Sequence, residues 1–437
     1  MGGLPPRRGG ELRPQGPPGR QGRRPPLRPV CHPRGQPTLG PADGPPSGER
    51  RAGPSPSGGD GPVVAPGGET REAPQGRRFR RVKTLSADYQ TARTLFLDRA
   101  RSAGAEITST VHPERGPAGE ELAMDTAWFG PRDAERVVVT VSGTHGAEGF
   151  AGSALQSAWF DRHEASRPAG TAHMAVHALN PFGFAWTRRV NEGNIDLNRN
   201  FIYFNETVPE NPDYAGIADL LVPREWNEET IGSTTMALLG LAEEKGWDWL
   251  QAAVSRGQYS HPTGLFFGGR GPAWSHLELK KLMVENLGSA SRVAVLDLHT
   301  GLGPWGHGEL ISSDLPDSES LDRANSWYDG DVIPLAGGES VSAVLQGEWL
   351  VRVPAWLPRA EVTSLAIEYG TIEIVGVLQA LRADAWLWAH GDPASSDAAA
   401  IRAQVRAAFA DDDPAWLARL LEQFELRMDQ AFAGLNS

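Results

Sequence analysis

RVVVTVSGTHGAEGF, residues 136–150, joins a β-branched run to a glycine-punctuated turn and the start of a helix. The run RVVVTVSG (136–143) shows no alternation of apolar and polar positions. A strand with one solvated face would alternate, so the pattern predicts a strand buried on both faces of a largely parallel sheet. A helix from about Phe150 to His163 follows and leads to AHMAVHAL (172–179), a second strand. Strand, helix and strand in that order imply a right-handed crossover.

Two more runs fit the same scheme. SRVAVLDLHTG (291–301) and TSLAIEYGT (363–371) read as strands that end in polar residues, and a helix over roughly 372–390 follows the second. Upstream, SADYQTARTLFLDRARSAGAE (86–106) predicts the first helix, with Ser86 as its N-cap, apolar Tyr89, Leu95 and Phe96, and Gly104 near its end. The segment 203–290 reads as insertions, including TTMALLGLAEEKG (234–246), whose Met236, Leu239 and Leu241 are expected to face a core. Two amphipathic helices close the chain, with caps expected at Ser396 and Asp413. The expectation is one α/β domain over 82–437, built on a mixed, mostly parallel twisted sheet flanked by helices.

Residues 1–81 are a different polymer. They hold 18 of the 35 prolines, 18 of the 51 glycines and Cys31, the single cysteine. Fifteen arginines against six acidic residues give this segment +9, so the remainder carries −21 of the net −12. Such a stretch cannot bury enough apolar surface to offset backbone ordering, about 1–2 kcal/mol per residue. It is expected to be a disordered Arg/Pro/Gly-rich extension, with a basic nucleic-acid arm and a linker or targeting segment as the competing readings. The start MGGLPPRRGGELRPQ has no apolar core after its arginines, as a secretory signal would, so the expected compartment is the cytoplasm. No apolar run of 18 residues suggests a membrane span. Beyond Cys31 the chain has no thiol nucleophile and no cysteine-ligated metal site, and its acidity argues against sequence-independent nucleic-acid binding.

In open α/β sheets ligands sit outside the carboxyl ends of the strands. SGTHGAEG places His145 and Glu148 there, three residues apart. A catalytic zinc takes three protein ligands and keeps a fourth position open. DLHTG supplies His299 at the end of another strand, completing a set of two histidines and one glutamate.

NPFGFAWTRRVNEGNIDLNRNF (180–201) adds Asn180-Pro181, Arg188-Arg189 and Asn198-Arg199-Asn200. In order, His-x-x-Glu, Asn-Pro-x-Gly, Arg, Asp-x-Asn-Arg-Asn, His and Glu make the chain resemble the zinc carboxypeptidase family, over roughly residues 84–392. More narrowly, it is similar to an uncharacterised bacterial branch of that family. The resemblance implies a zinc carboxypeptidase-like fold and one zinc ion on His145, Glu148 and His299. Asn198 and Arg199 would bind a substrate's terminal carboxylate, which a guanidinium fork fits bidentately. Arg189 would polarise the scissile carbonyl, with Arg188 beside it as the other candidate. Asp196 matches a carboxylate that accepts the far ring N–H of the first zinc histidine. Glu368, in AIEYGT, matches the general base that takes a proton from the attacking water. Asp297 shares a strand face with His299 and is either a partner of that ring or of a nearby backbone group.

The resemblance is incomplete. Peptide-cleaving members place a mobile tyrosine some twenty residues before the base, whereas SAVLQGEWLVRVPAWLP here has none. Trp349 and Trp356 are the residues there that could close the site. Tyr369 should point to the opposite sheet face from Glu368. His307, in PWGHGEL, is a substrate contact or a surface loop residue; His163, His173, His177 and His390 read as structural. The function implied is hydrolysis of an amide bond beside a free carboxylate, on a peptide or small molecule. Deacylation of small N-acyl amino acids at the same metal site is the alternative, and a metal-free binding protein a further one.

Overall fold

The structure, a computed structural model, describes residues 84–337, 340 and 345–437. The expectation for residues 1–81 lies outside the described residues. The sheet comprises β1 (Glu106–Arg115), β2 (Glu121–Phe129), β3 (Arg136–Ser142), β4 (Thr171–His177), β5 (Arg292–Trp305), β6 (Gly308–Ser312), β7 (Val332–Pro334) and β8 (Glu361–Gly370). In space the order is β1-β2-β4-β3-β5-β8-β6-β7. Pairs β3-β4, β3-β5, β5-β8 and β6-β7 are parallel; β1-β2, β2-β4 and β6-β8 are antiparallel. The sheet is therefore mixed and mostly parallel, as expected.

The helices in chain order are α1 (Tyr89–Ser102), α2 (Gly149–Arg162), α3 (Pro181–Trp186), α4 (Ala218–Leu221), α5 (Glu228–Lys245) and α6 (Trp247–Ser255). After them come α7 (Trp274–Leu287), α8 (Glu319–Trp327), α9 (Val353–Trp356), α10 (Ile374–His390), α11 (Ala398–Phe409) and α12 (Pro414–Leu435). Strand β3 lies at the sheet's centre. Its Val137, Val139 and Val141 pack on one face with Leu279, Leu282 and Met283 of α7. Val138 packs on the other with Leu155 of α2 and Leu420 and Phe424 of α12. Both faces are covered, which is why the sequence shows an unbroken apolar run; each valine so buried contributes about 1.5–3 kcal/mol.

The insertion helices add a third layer. Leu238 and Ala242 of α5 and Leu250 and Val254 of α6 cluster with Val377 and Ala380 of α10 and Val405 and Ala408 of α11. Among the described residues, no helix is long and apolar enough to cross a membrane.

Several local expectations need correction. The N-cap of α1 is Asp88, whose carboxylate accepts the Thr91 N–H at 2.7 Å, and not Ser86; an anion at that position also favours the helix dipole. At α11 the cap position is Asp397, and Ser395, not Ser396, takes the Ala398 N–H. Asp413 caps α12 as expected. Met236 is 67% exposed, while Leu238 and Ala242 face inward. These two share a face at i and i+4, and Met236 lies about 200° round the helix from Leu238. The β1-β2 hairpin was not anticipated: β1 is an edge strand whose side chains are mostly exposed, so it lacks the apolar pattern of the interior strands.

Candidate functional site

Register aligns the carboxyl ends of three central strands. Ser142 of β3 pairs with Leu298 of β5, Leu298 with Ile367 of β8, and His299 with Glu368. Asp297 and His299, two residues apart, share a face with Glu368. The turn after β3 brings His145 and Glu148 to the same edge. Its glycines explain the local shape. Gly143 has φ +67°, and a Cβ on Gly146 would overlap the Gly183–Phe184 peptide. That close approach is sealed by N–H bonds from Gly146 to the Arg189 carbonyl at 3.1 Å and from Ala147 to the Arg188 carbonyl at 2.8 Å. The same contact therefore fixes where the arginine pair emerges.

Buried Glu148 bridges the two histidines. His145 Nδ1 lies 2.9 Å from its Oε1 and His299 Nδ1 lies 2.8 Å from its Oε2. One donor atom from each of the three residues falls within 4.8 Å of the others. The far ring nitrogens meet carboxylates: His299 Nε2 at 2.6 Å from Asp297 and His145 Nε2 at 3.3 Å from Asp196. Metal-ligating histidines are commonly held by such partners, which set the tautomer. The donor set, its burial and these outer carboxylates fit a divalent metal ion of the kind that takes nitrogen and oxygen ligands. Burial pushes the Glu148 carboxyl up, but the two histidines outweigh it and hold it well below the usual carboxylate range.

Asp297 is a buried hub. Besides His299 it accepts the Trp349 Nε1–H at 2.7 Å and the Thr144 hydroxyl at 2.7 Å. It is a ring partner, not the partner of a backbone group. Trp349 is fully buried and serves as this donor, and Trp356 packs against Phe201 at 5.9 Å. The expectation that these tryptophans close the site is thus corrected.

The arginine pair divides. Buried Arg188 turns away, donating to Asp384 at 3.1 Å and lying over the Trp388 ring at 4.1 Å. Arg189 faces the site. Its guanidinium donates to Asp196 at 2.9 Å and Glu148 at 3.1 Å, and lies 2.9 Å from His145 Nε2. Asp196 also caps the turn Leu197–Arg199, accepting the Asn198 N–H at 2.9 Å. Burial raises the Asp196 carboxyl, but Arg189 and Arg199 outweigh it and hold it well below its usual range. Arg199 is anchored by the Ser255 carbonyl at 3.1 Å. The side-chain oxygen of Asn198 is buried without a partner among the described residues.

Glu368 is half-buried and its Oε1 accepts the Leu302 N–H at 2.9 Å. Burial, reinforced by the charge of Glu148, pushes its carboxyl up to about 7. Tyr369 is fully buried on the opposite face, in the core with Ile367 and Trp416.

His145, Arg189, Asn198, Arg199, His299 and Glu368 line one cavity of about 280 Å³, and Glu148 bridges its two histidines. His307 is exposed and lines none of it, and His173 and His177 are buried among aromatic side chains elsewhere. Three contributors, Thr144, Glu348 and Phe266, escaped the sequence reading. Thr144 carries no motif of its own, and of Trp349 it is the hydrogen bond to Asp297 that the sequence did not show. Glu348 lies twenty residues before Glu368 and lines the cavity, its carboxyl raised by burial. Phe266 lies beneath both arginines, 5.5 Å from Arg189 and 5.1 Å from Arg199, with φ +53°. A non-glycine residue in that conformation is a local strain that only structure reveals.

Solved structures similar in outline include carboxypeptidase A from Helicoverpa armigera, at 14% identity over 75% of each chain with a TM-score of 0.40. Succinylglutamate desuccinylase from Chromobacterium violaceum is similar at 15% identity, over 73% of this chain and 74% of that one, with a TM-score of 0.32. Murein-tripeptide amidase from Escherichia coli O157 is similar at 18% identity, over 67% of this chain and 94% of that one, with a TM-score of 0.30. Among curated proteins none matches the chain. The match that covers most of the domain is to a family model spanning residues 85–423, and the chain belongs to that family, described as "Protein of unknown function (DUF2817)".

Proposed function

We propose that this protein is a zinc-dependent hydrolase that cleaves an amide bond adjacent to a free carboxylate. The observation that carries the reading is the placement of the buried His145–Glu148–His299 donor set beside a cavity lined by Arg189, Asn198, Arg199 and Glu368. A zinc ion on these three donors supplies Lewis acidity and lowers the pKa of a water to about 7. The chain's residues supply the rest. Arg199 and Asn198 hold the carboxylate and so fix the position of the neighbouring amide. Arg189 presents N–H donors to the carbonyl oxygen as it gains charge. Glu368 takes a proton from the attacking water at its carboxylate and returns it to the leaving nitrogen.

The test is Glu368→Gln measured beside the parent protein. The variant is expected to retain about one zinc per chain while hydrolysis falls by at least about 10²-fold. Unchanged turnover would remove Glu368 from the reaction. Failure of the parent to bind zinc on reconstitution would reject the whole reading.

A further inference from the structure

We propose that the cavity takes N-acyl amino acids carrying a long aliphatic acyl chain, a reading that rests on the amide-hydrolase function above and names its substrate class. The walls argue for it. Helix α6 presents Trp247, Leu250 and Val254 to the cavity, and α10 presents Ile374, Val377 and Leu381. Both sets are spaced i, i+3 and i+7, a single helical stripe about 10 Å long. Each stripe starts in solvent and runs inward. Trp247 is 59% exposed and Ile374 54%, whereas Leu250, Val254, Val377 and Leu381 are all under 9%.

The inner ends reach the arginines. The Ser255 carbonyl at the end of α6 accepts Arg199 Nε–H, and Leu381 lines a small recess shared with Arg189. The cavity therefore offers cations at the inner ends of two apolar rails that open at the surface, with His145, His299 and Glu368 in the same lining. An N-acyl amino acid carries the matching groups: a carboxylate, an amide and an aliphatic chain.

A peptide fits the rails less well. Its main-chain N–H and C=O groups would lose water against walls that offer few hydrogen-bonding partners. A single amino-acid side chain would leave the outer part of both stripes uncovered. In the reaction, the water oxygen bonds to the acyl carbon and the carbon–nitrogen bond breaks. The proton taken by Glu368 passes to the nitrogen, giving a fatty acid and a free amino acid.

The experiment uses the full chain and N-acylglycines from acetyl to dodecanoyl, since glycine adds no side chain. Hydrolysis is measured with the zinc-loaded parent, and binding by calorimetry with Glu368→Gln. Both kcat/KM and affinity are expected to rise about fourfold per methylene until the chain reaches the rim. Trp247→Ser and Ile374→Ser, at exposed positions where folding is not at risk, should remove the gain for the longest chains only. Leu250→Trp should remove it for medium chains as well. Hydrolysis of acylglycines or dipeptides with no dependence on chain length would overturn the substrate class and leave the hydrolase reading intact. Chain-length-dependent binding without hydrolysis by the parent would support the cavity assignment and overturn the hydrolase reading. Binding by neither measure would overturn the proposal.

Discussion

Asp297→Asn isolates the effect of one negative charge behind the donor set. Asp297 Oδ2 accepts two N–H groups, from His299 at 2.6 Å and Trp349 at 2.7 Å, and Oδ1 accepts the Thr144 hydroxyl at 2.7 Å. An asparagine must keep its oxygen towards the two N–H donors, because an amide nitrogen there would face donors only. Its nitrogen then meets Thr144, whose hydroxyl can rotate to accept. Three hydrogen bonds remain and the charge is lost. A bond to a charged group is worth about 1.5–3 kcal/mol against about 1 for a neutral one, so the His299 contact weakens by about 0.5–2 kcal/mol. Partners of this kind change metal affinity by about 10–100-fold, and preservation of the geometry places this variant near the tenfold end. Zinc affinity is measured by competition with a chromophoric chelator, with thermal unfolding alongside. Zinc bound within twofold of the parent at unchanged Tm would refute the argument that Asp297 acts through His299. Asp297→Leu is the contrast. It strands three buried donors at about 1–3 kcal/mol each, and is expected to fail in folding before metal affinity can be compared.

Two further predictions concern buried charge. His177, with Nε2 3.0 Å from Ser153 Oγ, is fully buried, and burial pushes its pKa from 6.5 down to about 4. The unfolded chain binds the extra proton between those values. Stability is thus full above about pH 6.5 and is lost as pH falls towards 4, by about 3 kcal/mol in all. In urea unfolding the parent should lose about 2 kcal/mol more than His177→Phe between pH 7 and pH 5, and parallel losses would contradict the assignment. The arginine pair should separate by assay. Arg188→Ala breaks the buried pair with Asp384 and should cost about 3–5 kcal/mol of stability. Arg189→Lys keeps the charge but not the fork, and should lower kcat/KM by about 10²-fold with little change in Tm; equal thermal losses in both variants would be inconsistent with their opposite orientations.

The central sheet was legible because strands covered on both faces must be apolar throughout, as in 136–143. The candidate site positions were legible because topology confines them to strand ends, where polar residues interrupt apolar runs at His145, His299 and Glu368. Edge strand β1 was hidden by its exposure, and the caps of α1 and α11 by neighbouring residues of equal capping ability. Contacts that depend on distant chain segments meeting left no local trace. Trp349 reaches Asp297 across 52 residues, and Arg188 reaches Asp384 across 196. The choice between Arg188 and Arg189 needed the contact at Gly146, which no spacing rule encodes.

The guanidinium of Arg189, lying on Asp196, Glu148 and His145, bears on the order of assembly. Small metallo-domains whose folding energy comes from the metal stay unfolded until the ion arrives. Here the buried acids Glu148 and Asp196 face Arg189 and Arg199, and Asp297 is matched by His299, so the chain neutralises its own site. A site balanced in this way is expected to let the domain fold without waiting for a cation. An ion taken up by the donor set would then meet a finished core, and Arg189 would have to yield its place there.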